Sequence, residues 1–321
     1  MRRFEDHPQL GGLVALLAHE DAEVRRIGLL QAAELADEGD VAVFVRASRD
    51  TDPGVRLEAL RALEGTAAPD GVAALLAGLD DADAEVREAA AASLGEIRDP
   101  SAGAALAAAF ATARSPARGA ILAALRKLRL PAALPLALEA LADPAPDTRR
   151  QAVGVLAWLR DPTALPVLAE ALRDPAAVVR RAAAGALGYA GEAGGADVLP
   201  ALLAALADED WQVREEAAET LRKLGSARAA DGLIAALASD SFWQVRLKAA
   251  AALGELKAPA ALPALVEALG HPIGNLRKEA AAALGRIGCA DAAPALRVAL
   301  DDADVDVRKV AAHALTLLQG A

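Results

Sequence analysis

The residues of this chain with the plainest catalytic potential are four histidines, one cysteine and several paired carboxylates. A metal centre needs three or four nitrogen, sulfur or oxygen ligands brought together, and it announces itself by His and Cys residues a few positions apart. None of His7, His19, His271 or His313 has a second His or Cys at that spacing. His19-Glu20 is a solitary His-Glu pair. Glu215-Glu216 and Asp301-Asp302 read as solvated helix charge, because neighbours on a helix point about 100° apart and do not converge. The chain has neither a phosphate-cradling G-x-x-x-x-G-K loop nor a G-x-S-x-G nucleophile elbow. Cys289 has no partner for an internal disulfide, fits a reducing cytoplasm, and reads as a small buried residue. The expectation is a protein without catalysis, metal or cofactor.

The other chemistry available is recognition. Arg150, Gly154 and Trp158 are spaced by four residues, and so are Arg181, Gly185 and Tyr189. On a helix this spacing sets the three one turn apart along a single ridge. Glycine within a helix costs about 1 kcal/mol against alanine, so two in register imply a use. That use is room for a backbone or a flat group beside an aromatic wall, or room for the ring to lie on its own helix. Arginine one turn away favours a carboxylate-bearing partner. Trp211 and Trp243 form a second pair near helix starts, with Phe242 beside one of them. There they serve either as interface anchors or as packing between neighbouring elements.

These residues sit on a repeating frame. Arg25, Arg56, Arg87, Arg118, Arg149, Arg180, Arg214, Arg246, Arg277 and Arg308 are spaced 31, 31, 31, 31, 31, 34, 32, 31 and 31 residues apart. One position before the anchor is Val in seven repeats, three after it is small in nine, and seven after it is Leu in nine. These three offsets fall on one helical stripe, which is the buried face, and the small residue lets neighbouring helices approach. A further helix precedes each anchor, as in Leu165-Pro-Val-Leu-Ala-Glu-Ala-Leu172 and Leu262-Pro-Ala-Leu-Val-Glu-Ala-Leu269, with proline near the start where a missing N–H costs little. Asp52-Pro53, Ser115-Pro116 and Asp174-Pro175 read as a cap followed by the first helical residue. The anchor arginines are expected to form a structural ladder, pairing with caps or carboxylates of adjacent repeats. The longer gap of 34 places three extra residues near 191–197, which reads as a surface loop or a local change of curvature.

Composition agrees with helices. Apolar residues make up 55% of 321 and aromatics only 2%, so strands lack their usual β-branched and aromatic material. Ten anchors therefore predict about twenty helices in one all-α solenoid over residues 1–321. The net charge of −11 argues against general binding to a phosphate backbone. No apolar run approaches the ~18 residues of a membrane span, and MRRFEDHPQL lacks the apolar core of a signal peptide.

Asp83-Ala-Glu-Val-Arg-Glu-Ala-Ala-Ala-Ala-Ser-Leu-Gly-Glu-Ile-Arg-Asp-Pro100 and Leu276-Arg-Lys-Glu-Ala-Ala-Ala-Ala-Leu-Gly-Arg-Ile-Gly288 resemble the HEAT-like repeat named for phycobilisome lyases. The resemblance runs through the whole chain. It implies an α-solenoid whose second helices line a concave surface. It also brings in deoxyhypusine hydroxylase, a HEAT-like enzyme that gathers several His-Glu pairs around two irons, whereas this chain has one such pair. Fold by itself does not assign function. The leading expectation is a scaffold holding a protein or peptide in the groove at Arg150, Gly154, Trp158, Arg181, Gly185, Tyr189, Trp211 and Trp243. Residues 101–173 carry nine basic and five acidic side chains, which favours an acidic partner. The alternative is an accessory factor resembling bilin lyases, with a tetrapyrrole against Trp158 and Tyr189. A HEAT-like DNA glycosylase is disfavoured by the acidic balance. Val310, Leu317 and Leu318 on the last helix leave self-association open.

Overall fold

The computed structural model describes residues 11–36 and 40–319. His7 and the rest of the first ten residues lie outside the described part. Among the described residues there are twenty α-helices and no strand. The chain divides into two compact units, residues 1–159 and 160–321.

The first unit holds α1 (Val14–Leu17), α2 (Ala22–Leu35), α3 (Val41–Ala47), α4 (Pro53–Ala62), α5 (Pro69–Gly78), α6 (Ala84–Gly95), α7 (Gly103–Phe110), α8 (Ser115–Leu128), α9 (Ala133–Ala140) and α10 (Pro146–Leu159). The second holds α11 (Leu165–Ala171), α12 (Ala177–Ala186), α13 (Gly191–Ala205), α14 (Trp211–Leu224), α15 (Ala230–Ser239), α16 (Trp243–Glu255), α17 (Leu262–Ala268), α18 (Gly274–Ile287), α19 (Ala293–Val298) and α20 (Val305–Gln319). The anchor arginines lie on the even-numbered helices. Within each unit every even helix packs on the next even helix and on the odd helix before it, so each unit is two layers of stacked helices.

The stripe predicted from the repeat is the core. Val55, Ala59 and Leu63 are buried, as are Val86, Ala90 and Leu94, and Val245, Ala249 and Leu253. Thr148 stands where most repeats have valine and is also buried. It keeps that place because its Oγ1 donates to the Ser115 carbonyl at 2.6 Å, which satisfies the hydroxyl.

Four local expectations change. Asp52 caps α4 through its side chain with Pro53 following, as read from sequence. Ser115, however, is the first helical residue of α8, and Arg114 is the cap with no side-chain bond. Asp174 accepts the Ala176 N–H and so closes the turn, leaving Ala176 at the cap of α12. The three extra residues of the long repeat form no loop. They lengthen α13 to 15 residues, with Pro200 inside it. Cys289 is half-buried rather than fully buried.

Candidate functional site

The anchor arginines build the frame on which every candidate residue rests. Arg56 shows the pattern: Nη1 donates to the carbonyls of Asp50 and Thr51 in its own turn, at 2.9 and 3.1 Å. Nε and Nη2 then reach the Asp81 carboxylate of the next repeat at 2.7 and 2.8 Å. The same two-pronged pairing joins Arg25 to Asp50, Arg180 to Asp208, Arg214 to Asp240 and Arg277 to Asp302. Each of Asp50, Asp81, Asp208 and Asp302 also accepts the backbone N–H two residues on, so one carboxylate closes a turn and ties two repeats. Arg56's hydrogen bonds hold the Asp81 carboxyl below its ordinary range, against the opposing effect of burial. The structural ladder expected from sequence is present at these five anchors, whereas Arg87 and Arg246 meet no carboxylate among the described residues, Arg246 Nε donating instead to the Leu237 carbonyl.

In the first unit one ridge of α10 carries Arg150, Gly154 and Trp158. Trp158 is 46% exposed, and the Arg129 guanidinium lies over its ring at 4.5 Å. Arg129 is placed there by its left-handed backbone (φ 55°) at the end of α8. The room beside Gly154 belongs to a neighbouring helix: a Cβ built there would meet Arg126 Nη1 at 2.9 Å. Arg150 pairs with Asp147 at 3.5 Å across one turn. Neither Arg126 nor Arg129 meets a carboxylate among the described residues. Trp158 is therefore an exposed ring under one cation, Arg129, and lies one turn along from Gly154, which faces a second, Arg126.

In the second unit Arg181, Gly185 and Tyr189 start on the corresponding ridge, but α12 ends at Ala186 and residues Leu187–Tyr189 tighten into a 3-10 turn. Regular helical spacing is lost there, and the Tyr189 hydroxyl donates to the Asp161 carbonyl at 3.0 Å. Burial first, and the Asp161 charge second, push the Tyr189 phenol up to about 12. Beside it, a cavity of about 480 Å³ is lined by Arg160, Pro162, Leu165, Tyr189 and Val198 among others. The space at Gly185 is taken by Glu216, whose Oε1 would lie 2.9 Å from an added Cβ, and Arg181 reaches the same carboxylate at 3.9 Å. Neither reading of the two glycines anticipated that each accommodates a charged side chain from an adjacent helix.

Trp211 lies flat against Phe242, centroids 5.3 Å apart and planes 8° from parallel, and Arg214 covers the far ring at 5.6 Å. This is packing between neighbouring repeats. Trp243 is half-buried and follows Phe242 in sequence, but joins no ring stack among the described residues. The sequence reading missed Arg126 and Arg129 as companions of Trp158. Both were visible only as members of a basic stretch.

No three His, Cys, Asp or Glu side chains gather as a metal set among the described residues. No helix among them is long and apolar enough to cross a membrane. On the last repeat, Val298 is 76% and Leu317 42% exposed, while Val310 and Leu318 are half-buried.

Comparison with known proteins places this geometry. No curated protein matches the sequence. A solved engineered protein shares 23% identity with TM-score 0.57, covering 99% of each chain. YibA from Escherichia coli shares 20% with TM-score 0.58, over 94% of this chain and 99% of its own. Kap95p, solved bound to RanGDP, shares 15% with TM-score 0.63, over 97% of this chain and 50% of its own. At these identities the likeness is one of fold. The HEAT repeats family matches residues 41–126, 113–188, 169–242 and 230–316, and together with the ladder and the paired helices this makes the chain a member of the HEAT-repeat family.

Proposed function

We propose that this chain is a non-catalytic scaffold that binds an acidic protein or peptide segment at the exposed ridge of α10. The observation that carries the reading is Trp158. The chain has eight aromatic residues, counting 3 Trp, 1 Tyr and 4 Phe, yet this ring is left 46% exposed under Arg129. An exposed indole under Arg129, one helical turn from Arg126 at Gly154, offers apolar area and positive charge together, the combination that anchors protein interfaces. Kap95p offers a HEAT-fold example of a protein that binds a protein, RanGDP. A bilin-lyase-like role has less support, because Arg150 and Arg181 already have carboxylate partners and offer less to the propionates of a tetrapyrrole. The single free cysteine fits a cytoplasmic setting.

The test is affinity capture from the native host with the wild-type chain, Trp158→Ala and Arg129→Glu, each checked for unchanged helicity. Loss of a common set of partners in both variants is the expected result. Retention of every partner by both variants overturns the reading.

A further inference from the structure

We infer that Arg87 is a preformed binding site for a carboxylate side chain of another protein, separate from the Trp158 ridge and independent of that reading. Arg87 is held like its counterparts. Its Nη1 donates to the carbonyls of Asp81 and Ala82 at 2.7 and 2.9 Å, as Arg56, Arg180, Arg214 and Arg277 do in their own turns. In the counterparts the same anchoring of Nη1 leaves Nε and Nη2 as the edge that meets the next repeat. In Arg25, Arg56 and Arg277 this edge takes an aspartate 25 residues on. Twenty-five residues after Arg87 stands Thr112, an exposed side chain whose hydroxyl donates to the Ala109 carbonyl. No carboxylate reaches Arg87 Nε or Nη2 among the described residues. Asp81 is nearby, but its oxygens are bound to Arg56 and to the Asp83 N–H.

A second substitution strengthens the site. In three other joints the residue 27 positions after the anchor is an aspartate within electrostatic reach of the guanidinium: Asp52 for Arg25, Asp83 for Arg56, Asp304 for Arg277. After Arg87 this position is Arg114, exposed and in the same extended backbone region as Asp52 and Asp83. Where those three joints carry an acid, this one carries a cation at the equivalent position. Arg114 makes no ion pair among the described residues. The occupant that fits is the one the ladder itself uses, a planar carboxylate accepting two parallel N–H bonds. An aspartate or glutamate of a partner would complete the joint, with Arg114 adding attraction from one side.

The test removes the ridge as a competitor by working throughout with the Arg126→Gln/Arg129→Gln protein. Binding of a fluorescein-labelled hexa-aspartate peptide is followed by anisotropy at about 20 mM salt, where surface charge is weakly screened. Thr112→Asp supplies the missing carboxylate internally. It is expected to weaken binding about tenfold and to raise the melting temperature. Ala111→Asp adds the same charge on the adjacent exposed residue and is expected to change affinity less than about threefold. Equal weakening by the two substitutions, no effect of Thr112→Asp, or no binding at all in the Arg126→Gln/Arg129→Gln protein overturns the site. Displacement of the peptide by inorganic phosphate as readily as by free hexa-aspartate overturns the carboxylate assignment. A failure here leaves the Trp158 reading standing, because that reading is tested with different residues and natural partners.

Discussion

Arg180 donates Nε and Nη2 to Asp208 at 2.8 and 2.9 Å although 28 residues separate them, where Arg56 and Asp81 make the same pair across 25. The three additional residues are absorbed by the longer α13, and the joint is rebuilt with unchanged geometry. The ladder thus constrains the fold more tightly than the length of a repeat does. Core stripes must meet at a given height, and the arginine fork tolerates little displacement.

Arg180 is 6% exposed, and removing it leaves Asp208 partly buried beside an unfilled space. Arg180→Ala is expected to cost about 3 kcal/mol or more, because breaking a buried pair strands one charge. Asp208→Ala should cost a similar amount, and the double variant clearly less than the sum of the two. Urea denaturation of all four proteins checks this, and additive losses would refute direct coupling.

His271 occupies the ladder position that carries aspartate elsewhere, facing the joint of Arg246, and its Nδ1 accepts the Ile273 N–H at 3.1 Å. Burial, then Arg246 and Arg277, keep its pKa below the ordinary value of 6.5. A folded pKa below the unfolded one means that stability is fully present above pH 6.5 and falls as pH drops through that value. His271→Asp should raise the melting temperature at pH 7 by giving Arg246 a carboxylate. It should also remove the loss between pH 7 and pH 5. Thermal melts across that range decide it.

The ladder carboxylates carry the opposite end of the pH profile. Asp50, Asp81 and Asp302 are held below their ordinary 3.8, chiefly by hydrogen bonds from Arg25, Arg56 and Arg277. Their contribution is present above pH 3.8 and is lost as pH falls below it. Thermal melts from pH 5 downwards should show a steep fall in wild type and a shallower one in Asp81→Asn, which begins less stable.

Gly185 and Gly254 separate two uses of glycine on the same array. A Cβ at Gly185 meets the movable end of Glu216, so Gly185→Ala should be neutral or stabilise by up to about 1 kcal/mol. A Cβ at Gly254 lies 2.8 Å from Ala283 Cα, a backbone atom that cannot swing aside. Gly254→Ala should cost about 1–3 kcal/mol through overpacking. Denaturation midpoints of the two variants should therefore move apart.

Tyr189→Phe removes the bond to the Asp161 carbonyl and should cost about 1 kcal/mol. Trp158→Ala should change stability little, since much of that ring is already in water. A large loss from Trp158→Ala would mean that the ring serves packing.

Helices, their number, the buried stripe and the identity of the ladder arginines follow from the sequence alone. All of these depend on local propensity and on a period set by helix geometry, and both repeat every few residues. The carboxylates that meet the arginines did not follow from it. No motif in the sequence singles out Asp81 or Asp208, and only the stacking of one repeat on the next brings them to Arg56 and Arg180. The ridge divides the same way. Arg150, Gly154 and Trp158 were legible as one face of a helix, but the Arg126 side chain beside Gly154 and the Arg129 guanidinium over Trp158 come from α8. Tyr189 left its expected face because α12 tightens before reaching it. Sequence period governs which way a side chain leaves its own helix. What occupies the space it enters depends on the distance and rotation of the neighbouring helix, and the folded structure alone determines those.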